Sequence, residues 1–233
     1  MASLPYFLID RIVLQPMRWA TAGTIMAAEM AQSTDVCVNM SGGYHHASEQ
    51  RGEGFCLFSD VGVAVALLRK KHLLSLSDNV AIIDLDAHQG NGFERVFMQD
   101  TSVHIFDMYN GDIYPNDGYA KTAIQADIPL PMGSEDNVYL NTLKAKLPDF
   151  LDKCKPVKLA FYNAGSDILS GDPLGGFDVS AQAVVARDVY VFKELIKRNI
   201  PFVMLLSGGY TKTSYEIIAD SVTELINMRC KTR

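Results

Sequence analysis

Uninterrupted apolar stretches are short in this sequence, and none approaches the roughly 18 residues that a membrane-spanning helix needs. A membrane-embedded protein is therefore not expected. Positive charge is also scarce: 21 Lys and Arg stand against 27 Asp and Glu, a formal charge of −6. Such a surface repels phosphate backbones, so no direct nucleic-acid partner is expected. The 4 cysteines (Cys37, Cys56, Cys154, Cys230) have no C-x-x-C spacing, which argues against a disulfide framework and against a structural zinc knuckle. Internal repeats, low-complexity tracts and long Gly/Ser linkers are absent, so the 233 residues read as a single domain, 1–233. Near the start, the apolar patch Leu4 to Ile9 is cut short by Asp10 and Arg11 and has no basic segment before it. No signal peptide is expected, and the working compartment is the nucleus or cytoplasm, not the secretory route.

What is present is an alternation of short β-branched runs with longer helical patterns. Val36–Met40, Val80–Leu85, Val103–Met108, Lys158–Asn163 and Phe202–Leu206 read as five strands. Thr24–Ala31, Val61–Lys71, Asn91–Met98, Glu135–Leu151, Ala181–Arg198 and Ser214–Met228 carry apolar residues at helical spacing. The succession predicts an α/β fold, a mainly parallel β-sheet with helices on both faces. Ligands of such sheets bind beyond the carboxyl ends of the strands. There the sequence places Gly42-Gly43-Tyr44-His45-His46, Asp86-Ala87-His88, Asp107, Gly165-Ser166-Asp167 and Ser207-Gly208-Gly209-Tyr210, so most polar groups suited to catalysis converge on one edge.

Asp84, Asp86 and His88 alternate at a strand end, and if the extended geometry persists all three point to one side. One carboxylate and one imidazole from this segment, with Asp167 from another strand end, make three N/O ligands and leave positions for water and substrate, as a catalytic zinc site requires. Taken alone, D-x-D-x-H can also be an aspartate cluster capping the next helix, the less common reading; convergence with the other motifs favours the metal further. Two anionic ligands neutralise a divalent ion, which then acidifies its water less than a three-histidine site would, and a protein base is needed. The tandem His45 and His46 supply it, one taking a proton from water and one, or the same one later, returning a proton to the leaving amine. Asp84 and Asn91 are the candidates for orienting these rings. Tyr210 follows two glycines and can hydrogen-bond a carbonyl oxygen as charge develops on it, although S-G-G-Y by itself is more often a simple turn.

Taken together, Gly42–His46, Arg51–Cys56 (RGEGFC), Ile83–Gly92 (IDLDAHQGNG), Tyr162–Leu169 (YNAGSDIL) and Ser207–Tyr210 resemble the histone deacetylases. Asn91, the YNAGSD form and Gly23–Met26 are most similar to the class IV branch, and the likeness runs from about Leu4 to the C-terminus. The resemblance implies an arginase/deacetylase-like three-layer fold. It makes Asp86, His88 and Asp167 zinc ligands, His45 and His46 the catalytic histidines, and Tyr210 the carbonyl-polarising tyrosine. Gly54, Phe55 and Tyr114 would line the acyl-lysine tunnel. A monovalent cation, usually potassium, would map to Asp84, Asp86, His88, Asp107 and the Met108 backbone, with Asp107 standing where the family usually has serine. Binuclear manganese relatives such as arginase need a bridging carboxylate at the position of Gly90, so a mononuclear site is expected.

The same resemblance implies zinc-dependent hydrolysis of Nε-acyl-lysine, acetyl or long-chain fatty acyl, on histone tails or other proteins. Family members have further N-terminal strands and helices, so an N-terminally truncated domain with an exposed sheet edge is expected. Two alternatives stay open: a weakly active homologue that serves as an interaction module in deacetylase complexes, and an acetylpolyamine amidohydrolase.

Overall fold

The computed structural model describes residues 5–231; Leu4 of the N-terminal apolar patch lies outside them. Its centre is a six-stranded sheet in the order β1-β6-β5-β2-β3-β4. The strands are β1 (Val36–Asn39), β2 (Asn79–Asp84), β3 (Val103–Asn110), β4 (Ala126–Leu130), β5 (Val157–Asn163) and β6 (Phe202–Leu205), and every pairing is parallel.

Because successive strand residues face opposite sides, Ile82 and Ile83 enter different cores. Ile82, Ile105, Phe161 and Val203 pack with the helices α2 (Gln15–Thr34), α3 (Asp60–Lys70) and α4 (Asn91–Phe97). Ile83, Phe106, Tyr162 and Met204 pack with α5 (Asp136–Lys153), α6 (Ala181–Lys197) and α7 (Ser214–Lys231). The result is the three-layer arrangement expected from the alternation of elements. A strand buried on both faces explains why V-A-I-I in β2 is apolar throughout rather than alternating.

Two expectations need correction. The sequence suggests five strands, and the structure has a sixth, β4, whose A-D-I-P-L carries an aspartate and a proline. Proline cannot donate to a ladder but is tolerated on an edge, and β4 is an edge strand paired only with β3. The first helical segment also begins much earlier than Thr24. A short helix α1 (Tyr6–Ile9) and a π-helical turn (Asp10–Leu14) lead directly into α2, so helical structure is continuous from Tyr6 to Thr34. Pro16 stands just after the π-helical turn, where the hydrogen-bond ladder changes register and a missing N–H is accommodated inside a continuous helix. Small residues Ala20, Thr24, Ala27, Ala28 and Ala31 form the buried face of α2 and let it lie close against the sheet. Among the described residues, no helix is long and apolar enough to cross a membrane.

Candidate active site

The carboxyl ends of five neighbouring strands deliver the site. The loop after β1 carries His45 and His46; its shape is held by Asp60 at the start of α3, whose carboxylate accepts from the Gly43 N–H at 2.9 Å, the Tyr44 N–H at 2.9 Å and the Thr24 hydroxyl at 2.6 Å. The His45 carbonyl in turn accepts from the N–H groups of Gly92 (2.8 Å) and Phe93 (3.1 Å) at the head of α4. These bonds order the loop before any ligand arrives.

Asp86, His88 and Asp167 form a buried cluster in which one donor atom from each lies within 4.8 Å of the others. His88 Nδ1 is 3.1 Å from Asp86 Oδ1 and 3.0 Å from Asp167 Oδ2. Asp84 does not share the cluster. β2 ends at Asp84, the extended pleat does not continue through Asp86 and His88, and the Asp84 carboxylate turns to His45 instead. Two carboxylates and an imidazole suit a divalent borderline ion such as zinc. The space is also kept clear: a Cβ added at Gly208 would come 2.6 Å from Asp167 Oδ2 and 2.7 Å from Asp86 Oδ2. The residues present fit a metal ion.

The two tandem histidines sit in different environments. His45 Nδ1 is 2.9 Å from Asp84 Oδ2, whereas His46 Nδ1 is 2.8 Å from the Asn91 amide oxygen, and the ring centroids are 4.1 Å apart. Burial opposes charging His45, but the Asp84 and Asp86 carboxylates outweigh it and lift its pKa to about 9. Burial and then the charge of His45 lower His46 to about 3, with only an amide to help it. Burial is likewise outweighed at His88, which the Asp167 and Asp86 hydrogen bonds raise to about 10. Asp167 is raised, by burial and then by the charge of Asp86, while Asp86 is lowered because its burial is outweighed by His45 and His88. Without a metal, the surroundings thus favour the charged form of His45 and the neutral form of His46.

A cavity of about 100 Å³ opens over these groups and is lined by His45, His46, Gly54, Phe55, Asp86 and Tyr210, among others. Phe55 is 75% exposed, and its ring lies 6.2 Å from that of Tyr210. Gly54 has φ +53°, and a Cβ there would fall 2.1 Å from the His46 ring, so only glycine lets the segment pass so close. Tyr114 lies outside this cavity's lining, edge-on to His46 with ring centroids 5.1 Å apart. Burial, then the Asp86 and Asp167 charges, raise the pKa of Tyr210, so its hydroxyl keeps its proton. Deeper in, Asp107, which stands inside β3 rather than beyond its end, and Glu94 are both fully buried and face each other as a carboxyl pair joined by a hydrogen bond. Burial and the charge of Asp84 raise Asp107, and burial lifts Glu94 to about 7.

Several residues of the site escape sequence reasoning. Asn163 donates to Asp84 Oδ1 (2.9 Å) and to the Ser207 hydroxyl (2.8 Å), which donates to Asp86 Oδ2 (2.8 Å). Glu53 accepts from the Asn91 amide (3.1 Å), and Asp172 accepts from the Tyr210 N–H (2.8 Å). Asn163 had a usable signal, a polar residue closing an otherwise apolar strand. Asp172 had none beyond a position in a Gly-Asp-Pro turn.

The Histone deacetylase domain matches residues 7–226. Histone deacetylase 2 of Arabidopsis thaliana is 43% identical over 226 residues, which cover 96% of this chain and 57% of that protein. Among solved structures, a histone deacetylase homologue complexed with SAHA shares 28% identity and a TM-score of 0.73, over 89% of this chain and 55% of the other. An acetylpolyamine aminohydrolase from Burkholderia pseudomallei gives a TM-score of 0.74 at 18% identity, over 89% of this chain and 61% of the other, a likeness of fold. The chain therefore spans somewhat more than half the length of the proteins it matches.

Proposed function

Because the chain belongs to the histone deacetylase family, we propose that it hydrolyses the amide of Nε-acyl-lysine in a peptide, at a zinc ion held by Asp86, His88 and Asp167. The observation that carries this reading is the convergence of that buried cluster with two tandem imidazoles, one held by Asp84 and one by Asn91, beneath one small cavity. When bound, the ion supplies Lewis acidity toward the acyl oxygen and toward a water. The protein does the rest. His46, kept neutral, accepts the proton of the attacking water. His45, hydrogen-bonded to Asp84, is placed to give a proton to the departing amine. The Tyr210 hydroxyl donates a hydrogen bond to the acyl oxygen, and its raised pKa keeps the donor protonated. Gly54 and Phe55 shape the entry for the aliphatic lysine stem, with Tyr114 flanking His46.

Finer assignments belong to the same proposal. The amide of Asn91 as partner of His46, together with the YNAGSD segment, favours the class IV branch and with it a tolerance for long acyl chains. The buried Asp107 carboxyl, next to Asp84 across the β2–β3 pair and hydrogen-bonded to Glu94, suits a potassium ion, which would be held in place of a proton.

Metal analysis of the purified protein combined with acetyl-lysine peptide, myristoyl-lysine peptide and acetylated polyamine substrates tests the reading. We expect peptide hydrolysis that stops on chelation and on addition of a hydroxamate. Protein that holds zinc yet cleaves neither peptide would refute it and leave an interaction module. Selective cleavage of the polyamine would move the substrate class to small amines.

A further inference from the structure

Helix α6 buries a charged pair on its apolar face: Val184, Arg187, Asp188, Val191, Phe192 and Leu195 point inward together, and Arg187 is fully buried. An arginine in a core is costly unless every donor is used and the charge is paired. Its Nε donates to Asp188 Oδ1 at 2.8 Å, which balances the charge. Its Nη1 donates to the carbonyls of Leu85 at 3.1 Å and Gly165 at 2.6 Å, and Nη2 reaches the Ala164 carbonyl at 3.4 Å. Leu85 precedes Asp86, and Gly165 stands two residues before Asp167. The guanidinium therefore spans the ends of the adjacent strands β2 and β5, at the points where the chain turns to present two metal-ligating carboxylates.

We propose that Arg187 is a positioning residue that clamps the Leu85 and Ala164–Gly165 carbonyls and so sets the separation of Asp86 and Asp167 for the metal. The inference rests on the metal-centre reading above. Hydrophobic packing alone would not set that separation, because the two loops leave the sheet beyond the last paired residues, Asp84 and Asn163. Beyond that point the direct ties between them are the Leu85 N–H on the Asn163 carbonyl (3.0 Å), the Ala87 N–H on Asp167 Oδ1 (2.9 Å), the Asp167–His88 contact and the arginine fork. The fork is itself held from behind. Asp188 accepts from the Tyr162 hydroxyl and from the Ser221 hydroxyl of α7 (2.6 Å), while the Tyr139 hydroxyl adds a second donor to the Leu85 carbonyl (3.3 Å). A lysine would keep the charge but cannot present a planar fork to both strand ends at once.

The test compares wild type with Arg187→Lys in full-length protein, measuring the zinc dissociation constant by chelator competition, the d–d absorption of the cobalt-substituted form, and the melting temperature without metal. The expected result is a dissociation constant raised about 10–100-fold, the range for loss of a group that orients metal ligands, with a changed cobalt spectrum. A merely structural role would lower the metal-free melting temperature and leave the affinity and spectrum of folded protein as in wild type; that result overturns the proposal. Should Arg187→Lys not fold, Tyr162→Phe, which keeps the ring and removes one donor to Asp188, is expected to weaken zinc about tenfold with the same spectral change, and wild-type values there overturn it equally. Wild type that takes up no metal would overturn the metal centre itself, a failure seen in a different arm of the experiment.

Discussion

Gly208→Ala offers a test of the metal centre that leaves every ligand in place. The new methyl would stand 2.6 Å from Asp167 Oδ2 and 2.7 Å from Asp86 Oδ2, whereas ordinary contact needs about 3.5 Å. Each oxygen, or the loop itself, must give by about 0.8 Å, several times the roughly 0.2 Å tolerance of metal–ligand distances. The backbone does not object, since Gly208 lies outside the left-handed region that alanine avoids. Only the site is disturbed, at a folding cost of about 1–3 kcal/mol for overpacking. Zinc affinity should fall by a factor of about 100 or more, at or beyond the upper end for disturbing a ligand's support, with circular dichroism unchanged. Elemental analysis after dialysis against a weak chelator reads the outcome. Stoichiometric zinc at wild-type affinity in folded Gly208→Ala would refute the assignment of Asp86 and Asp167 as joint ligands.

Further expectations concern the groups around the ion. Tyr210→Phe should lower turnover about 10²–10³-fold, the loss typical of one oxyanion donor, with zinc retained, as steady-state kinetics and metal analysis together would show. Asp167→Ala should lower metal occupancy itself; full occupancy and rate in that variant would refute its role. Zinc binding should release protons, because His88, raised to about 10, and Asp167, raised to about 7, must both be deprotonated to ligate; calorimetry in buffers of different ionisation enthalpy would detect it, and apparent affinity should rise with pH across the neutral range. In the metal-free protein, His45 and His88 are raised from 6.5 to about 9 and about 10. Their stabilisation is complete below pH 6.5 and lost as pH rises through those values, so the melting temperature should fall on the alkaline side. His46, lowered from 6.5 to about 3, acts oppositely and destabilises the fold as pH drops below 6.5.

Strand and helix periods made most of the fold legible because a two-sided parallel sheet leaves continuous apolar runs, as in β2 and β5. β4 was not legible: its single partner and exposed edge let it carry Asp127 and Pro129, which a central strand would not. The start of the first helical segment was hidden by Pro16 and by a π turn, neither of which follows the helical period. For the site, placement at strand ends brought His45, His46, Asp86, His88, Asp167 and Tyr210 onto one edge before any geometry was known. What could not be read was which partner each group takes. The alternation of Asp84, Asp86 and His88 suggests a common direction, but the strand stops at Asp84, and its carboxylate is claimed by His45 and Asn163 from other strands. Such pairings are fixed by strand order in the sheet, which local periodicity does not encode.

The balance of buried charge gives the cluster its meaning. Asp84, Asp86, Asp107, Asp167 and Glu94 are all buried near one end of the sheet, while the one fully buried arginine there is already neutralised by Asp188. Five carboxylates cannot all stay ionised in a low-dielectric interior without compensating charge. In the metal-free protein the compensation comes from protons: burial and neighbouring anions raise Asp107, Glu94 and Asp167, and His45 and His88 become cations. Each of those protons marks a place where positive charge is welcome. A divalent ion among Asp86, His88 and Asp167 would displace two of them, and a monovalent ion beside Asp84 and Asp107 a third. On the proposed reading, cations rather than protons would balance this set of buried acids.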